Sequence, residues 1–132
     1  MAPLPENGML HTASPHAFPE TLRRLEAAIA QRSIPILAKI DHAASAAQSG
    51  LTMNPATVVI FGNAKAGTPI MQAAPTAALD LPLKALVWQD AESRVWISIN
   101  TPQYLQSRHQ IPDNLLPNIA GITTLVAEAV QP

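Results

Sequence analysis

The stretch LKALVWQDAESRVWISIN, residues 83–100, limits the possible folds more than any other part of the chain. LKALVWQ and RVWISIN both read as strands, and only Asp90, Ala91, Glu92 and Ser93 lie between them. A loop of that length joins neighbouring antiparallel strands as a hairpin. A purely parallel sheet is thereby excluded, and the mixture of strands and helices elsewhere predicts an α+β fold with a mixed or antiparallel sheet of four to five strands. On the second strand Val95, Ile97 and Ile99 share one face, and Arg94, Trp96, Ser98 and Asn100 share the other. Trp96 thus falls on the polar-looking side, where a large aromatic is either covered by a helix or buried in a partner.

The rest of the chain supplies the other elements. Residues 1–8 are rich in proline and polar groups and read as a flexible tail; a short strand follows at Met9–Thr12. Phe18, Leu22, Leu25 and Ile29 recur at helical spacing, with Arg23, Arg24 and Glu26 off that face, which predicts an amphipathic helix over 18–32. Ile34, Ile36, Ala38 and Ile40 alternate with Pro35, Leu37, Lys39 and Asp41 as in a strand. In DHAASAAQSG, Asp41 is placed to cap a short helix and Gly50 to end it. ATVVIFG is apolar on both faces and reads as an interior strand. Thr101 and Pro102 open a helix reaching about His109, and Leu115, Ile119, Ile122, Val126 and Val130 mark a last one, with Pro117 in its first turn. At 132 residues, this is one domain over 9–132.

Composition narrows the function classes. Apolar residues make up 48% and charged ones only 13%, which leaves much uncharged surface and favours self-association. A net charge of −1 gives no attraction to nucleic acid or to an anionic membrane. With no cysteine, disulfides and thiolate chemistry are excluded, which fits a cytoplasmic setting. MAPLPENGML lacks the basic and apolar regions of a signal peptide, and no apolar run approaches the ~20 residues that cross a bilayer.

VVIFGNAKAGTPIMQ carries glycines at 62 and 67, a spacing that invites comparison with a phosphate-binding loop. Such a loop needs lysine directly after its second glycine, then serine or threonine for magnesium. Here Thr68 and Pro69 follow, and Lys65 lies inside the loop. The dinucleotide fingerprint is absent too. Thr68 reads instead as an N-cap and Pro69 as a first helical residue, with the glycines turning the chain from sheet to helix. INTPQYLQ repeats the device at Thr101 and Pro102. Each strand ends at an asparagine, Asn63 or Asn100; if the two strands share a direction, a small anion could sit where they finish.

The ionisable candidates are few. His42 is either an exposed first-turn residue behind its cap or a proton carrier, since histidine titrates near neutrality. Arg108 and His109 are either surface charges that complement a helix dipole or an anion-binding pair. His42 and His109 have no spacing that puts both on one helical face, so no metal site is expected. Met71 reads as core filler.

AKIDHAASAAQSGL, VVIFGNAKAGTPIMQAAP, LDLPLKALVWQD and INTPQYLQSRH together resemble the bacterial family called domain of unknown function 302, from about His16 to the C-terminus. The resemblance implies a homodimeric α+β domain with no established activity. The chain departs from the family pattern at Ala64, where proline is common, at Ile99, where tyrosine is common, and at Glu92-Ser93, where the hairpin often carries glycine.

The expectation is a dimeric, non-enzymatic binding module for a small polar or anionic ligand, without cofactor or metal. The candidate ligand residues are Asp41, His42, Asn63, Lys65, Thr68, Lys84, Asn100 and Arg108. One alternative is an interaction domain using Trp88 and Trp96; another is a small enzyme with His42 as general acid or base, and Lys84 or Arg108 stabilising negative charge.

Overall fold

Each strand runs antiparallel to its neighbour in a single five-stranded sheet of order β1-β5-β4-β3-β2. The computed structural model describes residues 3–132, so the first two residues of the expected tail lie outside the described residues. The strands are β1 (Met9–Ser14), β2 (Ile36–Asp41), β3 (Ala56–Phe61), β4 (Leu83–Gln89) and β5 (Val95–Asn100). The helices are α1 (Phe18–Gln31), α2 (His42–Gln48), α3 (Ala64–Ala73), α4 (Pro102–His109), α5 (Pro117–Ala120) and α6 (Ile122–Ala129).

Alternation along the strands sorts the sheet into two unlike faces. Val59, Phe61, Val87, Val95, Ile97 and Ile99 are buried on one of them, packed with Leu25 and Ile29 of α1 and with Ile122, Leu125 and Val126 of α6. Each such side chain contributes roughly 1.5–3 kcal/mol of burial. A second cluster, Ile70, Ala74, Ala77, Leu105, Ile111 and Ile119, joins α3, α4 and α5, and Leu83 packs against both clusters.

The opposite face carries Val58, Ile60, Leu86, Trp88, Trp96 and Ser98, all only half-buried. Neither buried cluster draws on it among the described residues. Trp88 and Trp96 stack there with ring centroids 6.4 Å apart, and the Arg94 guanidinium lies 5.9 Å from the Trp96 ring.

β3 and β5 are both antiparallel to β4 and therefore parallel to one another. They finish at the same edge of the sheet with β4 between them, two strand spacings or about 10 Å apart.

Local chemistry explains most element ends. Asp41 Oδ1 accepts the Ala44 N–H at 2.9 Å and starts α2; Gly50, at φ +75°, ends it, with Leu51 N–H on the Ala46 carbonyl. Thr101 Oγ1 accepts the Tyr104 N–H at 3.1 Å and starts α4, as the Thr-Pro pair predicts. Its apparent twin behaves otherwise. α3 begins at Ala64, capped by Asn63, so Thr68 is no N-cap and Pro69 lies inside the helix. Asn63 supplies a cap oxygen five residues earlier, and the helix takes the first cap available. Gly67 is consequently a helical residue, and only Gly62, at φ +155°, turns the chain out of the sheet.

Candidate functional site

The turn at Gly62 sets one wall of a cleft. Its N–H donates to the Pro35 carbonyl at 3.1 Å, which fixes the end of β3 against the approach to β2. Asn63 Oδ1 then accepts the Ala66 N–H at 2.8 Å, swinging α3 over the sheet edge. Asn118 Nδ2 donates to the Ala66 carbonyl at 3.0 Å, so α5 is tied to the same turn. Between these elements lies a cleft of about 480 Å³. Phe61, Met71, Leu81, Leu83, Ile122 and Leu125 give it mainly apolar walls, and Arg32, Asn63, Thr68 and Asn118 add polar groups. That volume lies within the ~300–1,000 Å³ common for small-molecule sites.

Arg32 is the one charged side chain on the cleft wall among the described residues. Its Nη1 and Nη2 donate to the two carboxylate oxygens of Glu128 at 2.8 and 2.7 Å, a fork that joins the end of α1 to α6. Those hydrogen bonds hold the Glu128 carboxyl below its usual range, against the opposing effect of burial, and raise Arg32.

The predicted ligand residues fall into separate places. Asn63 and Thr68 line the cleft together, and Met71, read as core filler, is half-buried on its wall. Lys65 is exposed in the first turn of α3 and is not on the wall. Lys84 is paired with Ile60, and Asn100 with Met9, so both project on the half-buried sheet face at that edge. Asp41 and His42 do not join them: Asp41 pairs with Thr57, at the far end of β3 from Phe61. Four strand residues, 38–41, lie between His42 and Leu37 on the cleft wall, a span of roughly 16 Å. Both are exposed, and Asp41 is engaged as the α2 cap.

Arg108 lies elsewhere again. Its Nη1 donates to Asp80 Oδ2 at 2.9 Å, so the anion it holds is the protein's own carboxylate. His109 is buried rather than a surface charge: Nε2 bonds to the same Asp80 oxygen and Nδ1 meets Thr76 Oγ1 at 2.9 Å. With Nε2 carrying the proton toward the carboxylate, Thr76 donates to Nδ1. This hydroxyl–imidazole–carboxylate chain was invisible in the sequence, because Thr76 and Asp80 precede His109 by about thirty positions. None of the three lines the cleft.

Arg32, Asn118 and the apolar walls are the site residues that sequence reading missed. Asn118 carried no sequence signal; Arg32 appeared only as the end of a helix. A second, more open depression of about 610 Å³ lies between the start of α1 and the β4–β5 hairpin, beside Pro15, His16, Gln89 and Arg94. Among the described residues no three His, Asp or Glu side chains gather as metal ligands. No helix among them is long and apolar enough to cross a membrane.

Comparison with known proteins agrees with the architecture. The family described as "Domain of unknown function DUF302" matches residues 10–129. The crystal structure of an uncharacterized conserved protein DUF302 from Bacillus stearothermophilus superposes with a TM-score of 0.77, over 93% of this chain and 95% of that one. At 18% identity that likeness shows the fold alone. A "Fluoride-specific ion channel FluC 1" from Brucella suis biovar 1 (strain 1330) is 36% identical over 111 residues, 84% of this chain and 44% of that protein. Its counterpart from Brucella abortus biovar 1 (strain 9-941) matches at 36%, over 41% of its length. The chain spans less than half the length of these curated relatives.

Proposed function

The chain belongs to the DUF302 family, and we propose that it is a dimeric, non-enzymatic binding module whose ligand sits in the cleft at the end of β3. The ligand is small, with an apolar body and a polar or anionic head. The carrying observation is the cleft itself: a volume of about 480 Å³ whose walls are apolar except for a few converging polar groups. Asn63 and Thr68 are the predicted ligand residues that keep this role. Lys84, Asn100, Asp41, His42 and Arg108 do not line the cleft. Binding is favoured over catalysis because, among the described residues, the wall brings no acid, base or nucleophile pair together, and the Thr76–His109–Asp80 chain reads as a tie between α4 and the turn before β4. The lack of cysteine supports a cytoplasmic setting.

The half-buried sheet face supports the dimer. Five strands about 4.8 Å apart, four of six residues and β4 of seven, give a planar footprint of about 480 Å². That is smaller than the ~800 Å² per partner of a standard interface, so the dimer contact extends beyond the strands themselves. Trp88 and Trp96 supply anchors, and a second copy offers the same apolar rows. Native mass spectrometry of protein purified from its own host tests both parts. The expected species is two chains with a retained small molecule; a bare monomer would contradict the reading.

The Brucella relatives favour a second reading, that of an interaction domain. In each of them a segment like this chain accounts for less than half of a protein named as a fluoride-specific channel. A domain of this kind can therefore be carried beside a membrane protein. Recovery with such a channel from a detergent extract, with the cleft empty, would favour that reading over the first.

A further inference from the structure

Resting on the cleft reading, we propose that the ligand is a small monocarboxylate with an aliphatic or aromatic body, its carboxylate recognised by Arg32. The wall carries one charged side chain among the described residues, and it is a cation. A guanidinium has five N–H donors in a fixed plane, a geometry matched to carboxylates. Glu128 takes one donor from Nη1 and one from Nη2, and the Ala28 carbonyl takes a further one from Nη1 at 3.4 Å. The Nε donor and the second Nη2 donor remain to receive an acidic head. Glu128 and Ala28 meanwhile hold the guanidinium in place, so little side-chain entropy is lost on binding.

The remaining walls set the limits of the class. Asn63, Thr68 and Asn118 offer a second carboxylate only neutral partners, and the rest of the wall is apolar, so a dicarboxylate would gain less than it loses in desolvation. A cationic ligand finds no carboxylate on the wall among the described residues, and the nearby Glu128 carboxylate is already taken by both Nη groups of Arg32. A neutral alcohol with the same body gains only the apolar contact. Recognition by Arg32 thus selects the monocarboxylate among ligands of similar size.

Calorimetric titration with octanoate and 1-octanol tests this, because the two share a body and differ in the head. Wild type is expected to bind octanoate at least about ten-fold more tightly, as charge-assisted hydrogen bonds exceed neutral ones. Arg32→Met should remove the preference for octanoate over octanol, and a circular dichroism spectrum and cooperative urea transition like those of wild type show that the variant is folded. Arg32→Lys should retain part of the preference. Equal binding of both ligands by wild type, or octanoate binding unaffected by Arg32→Met, would overturn the carboxylate assignment and leave the cleft standing. Binding of neither, as when a second copy covers the cleft, would overturn both.

Discussion

Asn63 and Ala66 are joined by a 2.8 Å hydrogen bond from the Ala66 N–H to Asn63 Oδ1, and this contact decides where α3 begins. A start after Thr68 would have removed the helical turn that walls the cleft. Asn63 therefore has two roles, cap and wall residue, and the first can be measured alone. Asn63→Ala should destabilise the protein by about 1 kcal/mol in urea unfolding, whereas Asn63→Asp should stay close to wild type.

Gly67 separates stability from binding. It is helical, and an added Cβ would meet Met71 Cε at 3.8 Å and Leu81 Cδ1 at 3.9 Å, ordinary contact distances on the cleft wall. Gly67→Ala should raise stability by about 0.5–1 kcal/mol through helix propensity. The same methyl narrows the cleft, so octanoate affinity should fall. Denaturation and titration of one preparation check the two opposite effects.

Ser93 holds the hairpin in a conformation suited to glycine, with φ +64°. A left-handed residue with a Cβ costs roughly 1–2 kcal/mol. Ser93→Gly should therefore stabilise the fold by up to about 1 kcal/mol. Its N–H bond to the Asp90 carbonyl, 3.0 Å long, is retained. A shift of the urea midpoint with unchanged slope would show it.

Asp90 makes stability depend on acid. The Trp96 indole N–H, then the backbone N–H groups of Arg94 and Glu92, hold its carboxyl down from 3.8 to about 2. As pH falls, the unfolded chain takes up the proton first, near the ordinary value. The stability that Asp90 contributes is present above about 3.8 and is lost between there and about 2. Melting temperature should decline across that window more steeply in wild type than in Asp90→Asn, which should melt lower at neutral pH. Trp96 fluorescence, reporting on the indole bonded to Asp90 at 3.0 Å, should follow the same titration.

Most features that depend on near neighbours were legible in the sequence. The β4–β5 hairpin, the Asp41 cap, the glycine at 50 and the Thr101-Pro102 start follow from chemistry within a few residues. The α3 start was misplaced because Thr68-Pro69 carries the same local signal as Thr101-Pro102, and only the competing Asn63 decides between them. The cleft was legible only through Asn63 and Thr68, because Arg32 and Asn118 line it from distant parts of the chain with no shared pattern. His109 read as surface charge because helix position reveals dipole complementarity and says nothing of Asp80, nearly thirty residues upstream. The two asparagine-tipped strands do finish at one edge, yet β4 stands between them, and Asn63 and Asn100 serve different faces.

Backbone amide shifts during titration with octanoate test most directly the claim that the cleft at the end of β3 is the binding site. The largest changes are expected at Gly62, Asn63, Ala66, Gly67 and Asn118. Changes centred on Lys84 and Asn100, on His42, or on no defined surface would contradict it.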